Sequence, residues 1–178
     1  EYAELVTNAD LLKSARVRLT EIQSKLDALD ILLTTKLNGA ITLESKGLID
    51  EAIKAMGGLA AADITTLTSY EQYFVPAVVD YVNLLVNSLF TDGELTSVSK
   101  DNVASLKDTL AQIDTYFAHI PEAAHKYVTK ADAVQEMREA VAAFDDTPET
   151  GDVFPWTAII LLGLALIAGT VCVRRFPK

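Results

Sequence analysis

Apolar residues recur every three or four positions along most of the first 144 residues. The clearest run extends from Leu12 to Leu33 and predicts an amphipathic helix over residues 8–36, with a coiled-coil-like seam that ends at Asn38-Gly39. The seam residues between these two leucines are Ala15, Leu19, Ile22, Leu26 and Leu29. No segment alternates as a strand does, and similar spacing predicts further helices over residues 44–56, 70–90, 99–118 and 130–144. The predicted fold class is all-α.

A Thr-x-x-acid pattern repeats at a constant spacing of 61 residues. It occurs in "VTNAD", "LTSYE" and "VTKAD", whose threonines are Thr7, Thr68 and Thr129. The pattern is typical of a capping box, in which the hydroxyl accepts a hydrogen bond from a first-turn N–H and the acid reaches back. Apolar positions follow the same period, since Ile49, Ala52, Met56 and Leu59 align with Leu110, Ile113, Phe117 and Ile120. The sequence therefore predicts tandem helical repeats over residues 1–144, with boxes at 7–10, 68–71 and 129–132.

The copies differ in the helix that follows the box. Copies one and three are alike, since Leu12, Ala15, Leu19 and Ile22 align with Val134, Met137, Val141 and Phe144. The middle copy instead has Val75, Val78, Val82, Leu85 and Leu89. Its Pro76 is expected to cap or kink the helix and to make this copy the least stable. The first copy is truncated before its leading helix and no signal peptide precedes it, so we expect a C-terminal piece of a longer protein.

An uncharged apolar run covers residues 153–173, and its two flanks differ. A helix of this length spans about 30 Å, the thickness of the hydrocarbon core of a bilayer. Phe154 and Trp156 stand near one end, and the basic residues Arg174, Arg175 and Lys178 follow the other. The run therefore predicts a transmembrane helix with the acidic body outside and the basic tail, residues 174–178, in the cytoplasm, where it retains the chain in the membrane.

The linker of residues 145–152 contains "TPETGD" directly before this run. Pro148 biases Thr147 towards an extended backbone, and Gly151 leaves the Thr150 carbonyl open to nucleophilic attack. A Pro-x-Thr-Gly tetrad, a terminal apolar span and a short basic tail together resemble the LPXTG cell-wall sorting signal of Gram-positive surface proteins. The recognition positions here are Thr147, Pro148, Glu149, Thr150 and Gly151, with threonine in place of the family's leucine.

The resemblance implies that a membrane sortase, as a transient partner, cleaves between Thr150 and Gly151 and joins Thr150 to peptidoglycan or its precursor. The precursor would be a single-pass protein of the plasma membrane, and the mature chain would lie on the cell wall. The body, through "LVTNADLLKSA" and "ITLESKGLIDEAIKA", is similar to tandem helical repeats in surface proteins of clostridia-like Firmicutes. That similarity implies a stalk or spacer that displays an upstream domain, whose activity and ligand the sequence does not specify.

Composition and motifs argue against several other classes of function. The net charge is −10 and every acid precedes the apolar run, which disfavours binding to nucleic acid and to anionic lipid. The single cysteine, Cys172, lies inside that run, so the body has no disulfide. His119 and His125 lack the partners of a metal site. The helical spacing of the aromatic residues favours core packing over a ligand platform for Tyr70, Tyr73, Phe74 and Tyr81. We expect no enzymatic activity, cofactor or metal.

Two alternative functions remain open at this point. The chain could be a single-pass membrane protein whose acidic helical ectodomain binds a partner, or the anchor of an upstream wall-bound enzyme. The Pro-x-Thr-Gly motif favours attachment to the wall over permanent residence in the membrane.

Overall fold

The structure is a computed structural model in which residues 8–145 are described, and these residues form a mainly helical body. Its α-helices in chain order are α1 (Ala9–Lys36), α2 (Lys46–Met56), α3 (Ala61–Ile64), α4 (Val75–Asn87), α5 (Val103–Phe117) and α6 (Ala131–Asp145). The shorter elements are 3₁₀ helices at Leu43–Ser45 and Glu122–Tyr127, a π-helical turn at Tyr70–Phe74, and a hairpin of β1 (Phe90–Thr91) and β2 (Glu94–Leu95). The all-α prediction is confirmed, and all five predicted helices are present.

Helix α4 lies at the centre of the hydrophobic core. Its buried residues cover more than half of the helix circumference, and they are Ala77, Val78, Val79, Tyr81, Val82, Leu85 and Val86. The exposed residues Pro76, Asp80 and Asn87 lie together on the remaining side. So wide an apolar face is typical of a helix that packs against several neighbours. The same core contains Leu33 of α1, Ile49 of α2, Ile113 of α5 and Met137 of α6. Helix α4 is therefore the element around which the other helices pack.

Pro76 lies at the start of α4, directly after the π-helical turn. The N–H of Val75 donates to the carbonyl of Tyr70, five residues earlier, so the backbone at this point is wider than an α-helix. Proline has no N–H to donate, and its ring clashes with the carbonyl four residues earlier when it stands inside an α-helix. The first-turn position removes most of that penalty. The prediction that Pro76 caps or kinks this helix is confirmed.

The hairpin between α4 and α5 was not predicted. Asp92 and Gly93 have φ values of 54° and 87°, which are typical of the two central residues of a type I′ turn. Phe90 pairs with Leu95 and Thr91 with Glu94 in antiparallel register. Strands of two residues are too short to show an alternating sequence pattern, so periodicity could not reveal them.

The boxes at 68–71 and 129–132 lie at helix starts, and both contact other helices. The hydroxyl of Thr129 donates to Asn83 Oδ1 of α4 at 3.1 Å, so another helix provides the partner of this box threonine. At the other box Ser69, the residue after Thr68, donates its hydroxyl to Asp30 Oδ1 of α1 at 2.5 Å, and it makes no side-chain capping bond to the π turn. Thr7 lies outside the described residues.

The predicted seam of α1 is only half buried. Leu26, Leu29 and Leu33 are buried, as expected. Leu12 and Leu19, in the first half of the helix, are 60% and 67% exposed. The seam is therefore an internal contact only beyond the middle of the helix.

Within residues 8–145, no helix is both long and apolar enough to cross a membrane. The predicted transmembrane helix at 153–173 and the tail at 174–178 lie outside the described residues, as does almost all of the linker at 145–152.

Candidate functional site

The predicted sorting residues all lie outside the described part of the chain. They are Thr147, Pro148, Glu149, Thr150 and Gly151, and the predicted retention residues Arg174, Arg175 and Lys178 lie outside it as well. Their roles therefore stay predictions from the sequence. The helical body provides two other features, which are polar contacts between distant helices and an exposed apolar face on α1.

Lys46, Asp50 and Tyr116 form a polar cluster between α2 and α5. The Tyr116 hydroxyl donates to Asp50 Oδ1 at 2.5 Å, and Lys46 Nζ donates to Asp50 Oδ2 at 2.7 Å. The Lys46 ammonium is also 5.8 Å from the centroid of the Tyr116 ring, within the range of a cation–π contact. The Tyr116 ring is buried and packs edge to face on Tyr81 of α4, with centroids 4.9 Å apart. One carboxylate thus connects two helices whose contacting residues are 66 positions apart.

Each group in this cluster is held in its ordinary charge state at neutral pH. Burial raises the pKa of Tyr116, and its bond to the Asp50 carboxylate raises that pKa further. Burial also acts to raise the pKa of Asp50, but hydrogen bonds from Lys46 and Tyr116 outweigh it and leave that pKa lowered. The bond to Asp50 raises the pKa of Lys46. A general acid or base works best when its pKa lies near 7, and the pKa of none of these three groups is shifted towards 7. The cluster therefore indicates a structural role.

Asn83 of α4 holds the segment that leads into α6. Its amide nitrogen donates to the Tyr127 carbonyl at 3.0 Å, and its Oδ1 accepts from the Thr129 N–H at 2.8 Å. The next residue, Lys130, has a φ of 56°, in the left-handed region that few non-glycine residues adopt. Its ammonium lies 4.0 Å from the centroid of the Phe90 ring. A single side chain of α4 therefore orients the start of α6.

Helix α6 docks through a buried apolar stripe and an ion pair. Val134, Met137 and Val141 are buried in the core. The Arg138 guanidinium donates two hydrogen bonds to the Asp114 carboxylate of α5, one of them from Nη1 to Oδ2 at 2.9 Å. This paired carboxylate raises the pKa of Arg138. A two-bond contact fixes the orientation of both side chains and so the register of α6 beside α5.

The aromatic cluster packs in or against the core, whereas His125 is partly buried and His119 is exposed. Phe74 and Tyr81 are buried, and the ring of Tyr70 stacks on Phe74 with centroids 5.5 Å apart. The His125 ring is hydrogen-bonded to the Ile120 carbonyl at 2.9 Å and lies against the Phe117 ring. Across residues 8–145, no group of three or more His, Cys, Asp or Glu residues could hold a metal ion.

An open cleft of about 330 Å³ lies beside α2 and the π turn. Its larger lining residues are Ile53, Met56, Ile64, Tyr70, Phe74 and His119. Specific small-molecule sites combine such apolar walls with polar groups that converge on the ligand. Of the polar side chains at this cleft, the Thr65 hydroxyl donates to the Ala62 carbonyl at 3.0 Å, and those of Tyr70 and His119 form no hydrogen-bonded group with it, so the geometry assigns the cleft no ligand.

The inter-helix contacts had no signal in the sequence. Asp50, Asn83 and Asp114 each stand on a helix where a polar residue is usually solvated, and no period relates them to their partners. The chain matches no protein-family model, no curated protein and no solved structure.

Proposed function

We propose that this chain is part of a wall-anchored surface protein, in which a stalk of tandem helical repeats is cleaved by a sortase between Thr150 and Gly151 and linked through Thr150 to peptidoglycan. The sorting motif carries the proposal. Its tetrad stands directly before the uncharged run of residues 153–173 and the basic tail, an order that brings the scissile bond close to the membrane surface. This arrangement suits cleavage by a membrane-bound enzyme.

The bounds of the helices support the repeat organisation. Helix α1, the π turn and α6 begin at Ala9, Tyr70 and Ala131, which are spaced by 61 residues and again by 61. Helices α2 and α5 end at Met56 and Phe117, with the same spacing. On this basis α1 belongs to copy one, the elements from α2 to α4 to copy two, and the elements from α5 to α6 to copy three.

Polar contacts between successive copies support the role of a stalk. Asp30 of copy one accepts the hydroxyl of Ser69 in copy two at 2.5 Å. Copy two is joined to copy three twice, through Asp50 with Tyr116 and through Asn83 with the segment before α6. In a repeat protein, stability depends on such interfaces between neighbours as well as on each unit. A spacer with these contacts would hold its units in a fixed arrangement.

The test is where the protein is found and what its mature C-terminus carries. Replacing Thr150 with alanine should leave the helical body folded and move the protein from the wall fraction to the membrane or the medium. Glu149→Gln is the matched control, because the family motif accepts any residue at that position, and this variant should stay on the wall. Mass spectrometry of wall digests should recover a peptide that ends at Thr150 and carries a peptidoglycan fragment.

One result would contradict the proposal directly. A peptide from the mature protein that spans the intact Thr150-Gly151 bond and continues through Asp152-Val153 means that no cleavage has occurred after Thr150. That result favours the single-pass membrane protein with a partner-binding ectodomain. Equal wall attachment of the Thr150→Ala and wild-type proteins would also reject sortase linkage through this residue.

A further inference from the structure

The first half of α1 presents an apolar face that no other described residue covers. Leu12 and Leu19 are 60% and 67% exposed, and Ala15, which lies between them on the same face, is exposed as well. The same helix buries Leu29 and Leu33 in its second half. The change from exposed to buried therefore occurs within one helix whose apolar spacing continues unchanged.

Helix α6 shows how the equivalent face is covered in copy three. Two periods, or 122 residues, separate Leu12 from Val134, Ala15 from Met137 and Leu19 from Val141. The three residues of α6 are 9%, 0% and 6% exposed. Equivalent positions are thus buried in one copy and open to solvent in the other.

The same alignment places Arg16 of α1 at the position of Arg138. In copy three this arginine binds Asp114, which lies on α5. In copy two the positions equivalent to Arg138 and Asp114 hold Ala77 and Ile53, which are both apolar. The two positions therefore change together, charged in copy three and uncharged in copy two. An arginine at position 16 indicates an acid on the helix that covers it.

We propose that the α1 face, formed by Leu12, Ala15, Arg16 and Leu19, binds an amphipathic helix of the α5 type supplied by another repeat unit. Such a helix carries an acid with an apolar residue four positions before it and another three positions after it, as Asp114 lies between Leu110 and Phe117. Lys13 and Arg18 flank the face, so its local charge is positive in a chain whose net charge is −10, which complements an acidic partner. The inference rests on the repeat organisation proposed above and is independent of wall attachment.

The test adds such a helix in the register that copy three shows. Residues 97–127 replace residues 1–5 of the full chain, so that the added Asp114 precedes Arg16 by 24 positions, as Asp114 precedes Arg138. The full chain is kept in mild detergent because of its apolar run, with Cys172→Ser and Leu19→Cys for labelling. Maleimide labelling at position 19 should slow at least tenfold, and hydrogen exchange over residues 10–22 should slow by a similar factor. An unchanged labelling rate, with the added segment helical by circular dichroism, would overturn the proposal.

Charge reversal separates this docking mode from general adhesion to an apolar surface. Asp114→Arg in the added helix alone should restore faster labelling, and combining it with Arg16→Asp should slow labelling again. Equal protection by matched and mismatched pairs would overturn the assignment of an acid-bearing helix. Labelling of the Leu19→Cys, Cys172→Ser chain without the added helix, at rising concentration, tests whether a second copy of the chain covers this face. If position 19 becomes protected as the chain dimerises, the face is a self-association surface and the proposal is wrong. Wall attachment affects none of these readouts, so their failure is distinct from failure of sortase linkage.

Discussion

Removal of one hydroxyl tests whether the bond between Tyr116 and Asp50 stabilises the junction of α2 and α5. Tyr116→Phe keeps the buried ring and its edge-to-face contact with Tyr81, and it deletes the 2.5 Å bond to Oδ1. A hydrogen bond to a charged group contributes about 1.5–3 kcal/mol. The Asp50 side chain is 46% exposed, so water replaces part of the lost bond. We expect a loss of about 1 kcal/mol in the free energy of unfolding, or about 3 °C in Tm for a body of this size.

The assay is urea unfolding followed by far-ultraviolet circular dichroism, as a double-mutant cycle with Asp50→Asn. Tyr116→Phe should cost less in the Asp50→Asn background, because the charged acceptor is already absent. The effect should also depend on pH in one direction. The pKa of Asp50 is lowered from 3.8 in the folded state, so its ionised form stabilises the protein above pH 3.8 and that contribution is lost as the pH falls through the lower folded-state value.

Two results would refute this reasoning. One is an equal loss of stability on Tyr116→Phe in the wild-type and Asp50→Asn backgrounds. The other is a loss that is unchanged between pH 7 and strongly acid solution, where the carboxylate is protonated. Either would mean that the effect of the substitution comes from packing or from the unfolded state, with no contribution from the bond to Asp50.

Three further predictions concern the helices around α4. Met137→Ala should lower the free energy of unfolding by about 2–5 kcal/mol, because the Met137 side chain is buried. Leu19→Ala should change it by less than about 0.5 kcal/mol, because Leu19 is exposed. Equal losses of the two variants in urea unfolding would contradict this. Asn83→Ala should cost about 0.5–1.5 kcal/mol, because it removes the exposed hydrogen bonds that hold the backbone before α6, while the control Asn87→Ala should cost less. In hydrogen exchange α4 should open last, and earlier opening around Pro76 than in the first half of α1 would show that this proline weakens the core.

The helices could be predicted because their signals are local. A period of three to four apolar residues depends only on neighbouring positions, and the 61-residue spacing located the starts of α1, the π turn and α6 to within a few residues. Helix α3 and the 3₁₀ helix at Glu122–Tyr127 are each too short to complete a periodic pattern. For Pro76 the sequence predicts the weakest copy. In the structure Pro76 lies in the first turn of α4, where a proline costs little, so the hydrogen-exchange prediction above now favours a stable α4.

The tertiary contacts could not be predicted, because each depends on which helices become neighbours. The threonine of the box at 129–132 was expected to cap its own helix. Its hydroxyl and its N–H instead donate hydrogen bonds to Asn83 Oδ1, on a residue 46 positions earlier. The partial exposure of the α1 seam likewise depends on what packs beside it, which spacing alone does not encode. Composition and motif order were enough to propose a sorting signal, whose residues lie outside the described body.

Under the repeat organisation proposed above, the contacts between copies also differ from one boundary to the next. Positions one period from Asp50 and Tyr116 hold Ala111 and Ala55, which cannot form the same bond. Asn83 has Ile22 and Phe144 as its counterparts, so its contact with the start of α6 is also unique. Tandem units with identical interfaces are prone to pair with the wrong neighbour, a characteristic failure of repeat proteins. A mispaired unit would lose the bond of Asp50 or of Asn83, and water would replace only part of that bond. Under the proposed organisation, the divergence among the copies favours one order, while the shared apolar spacing preserves the helices that make up each unit.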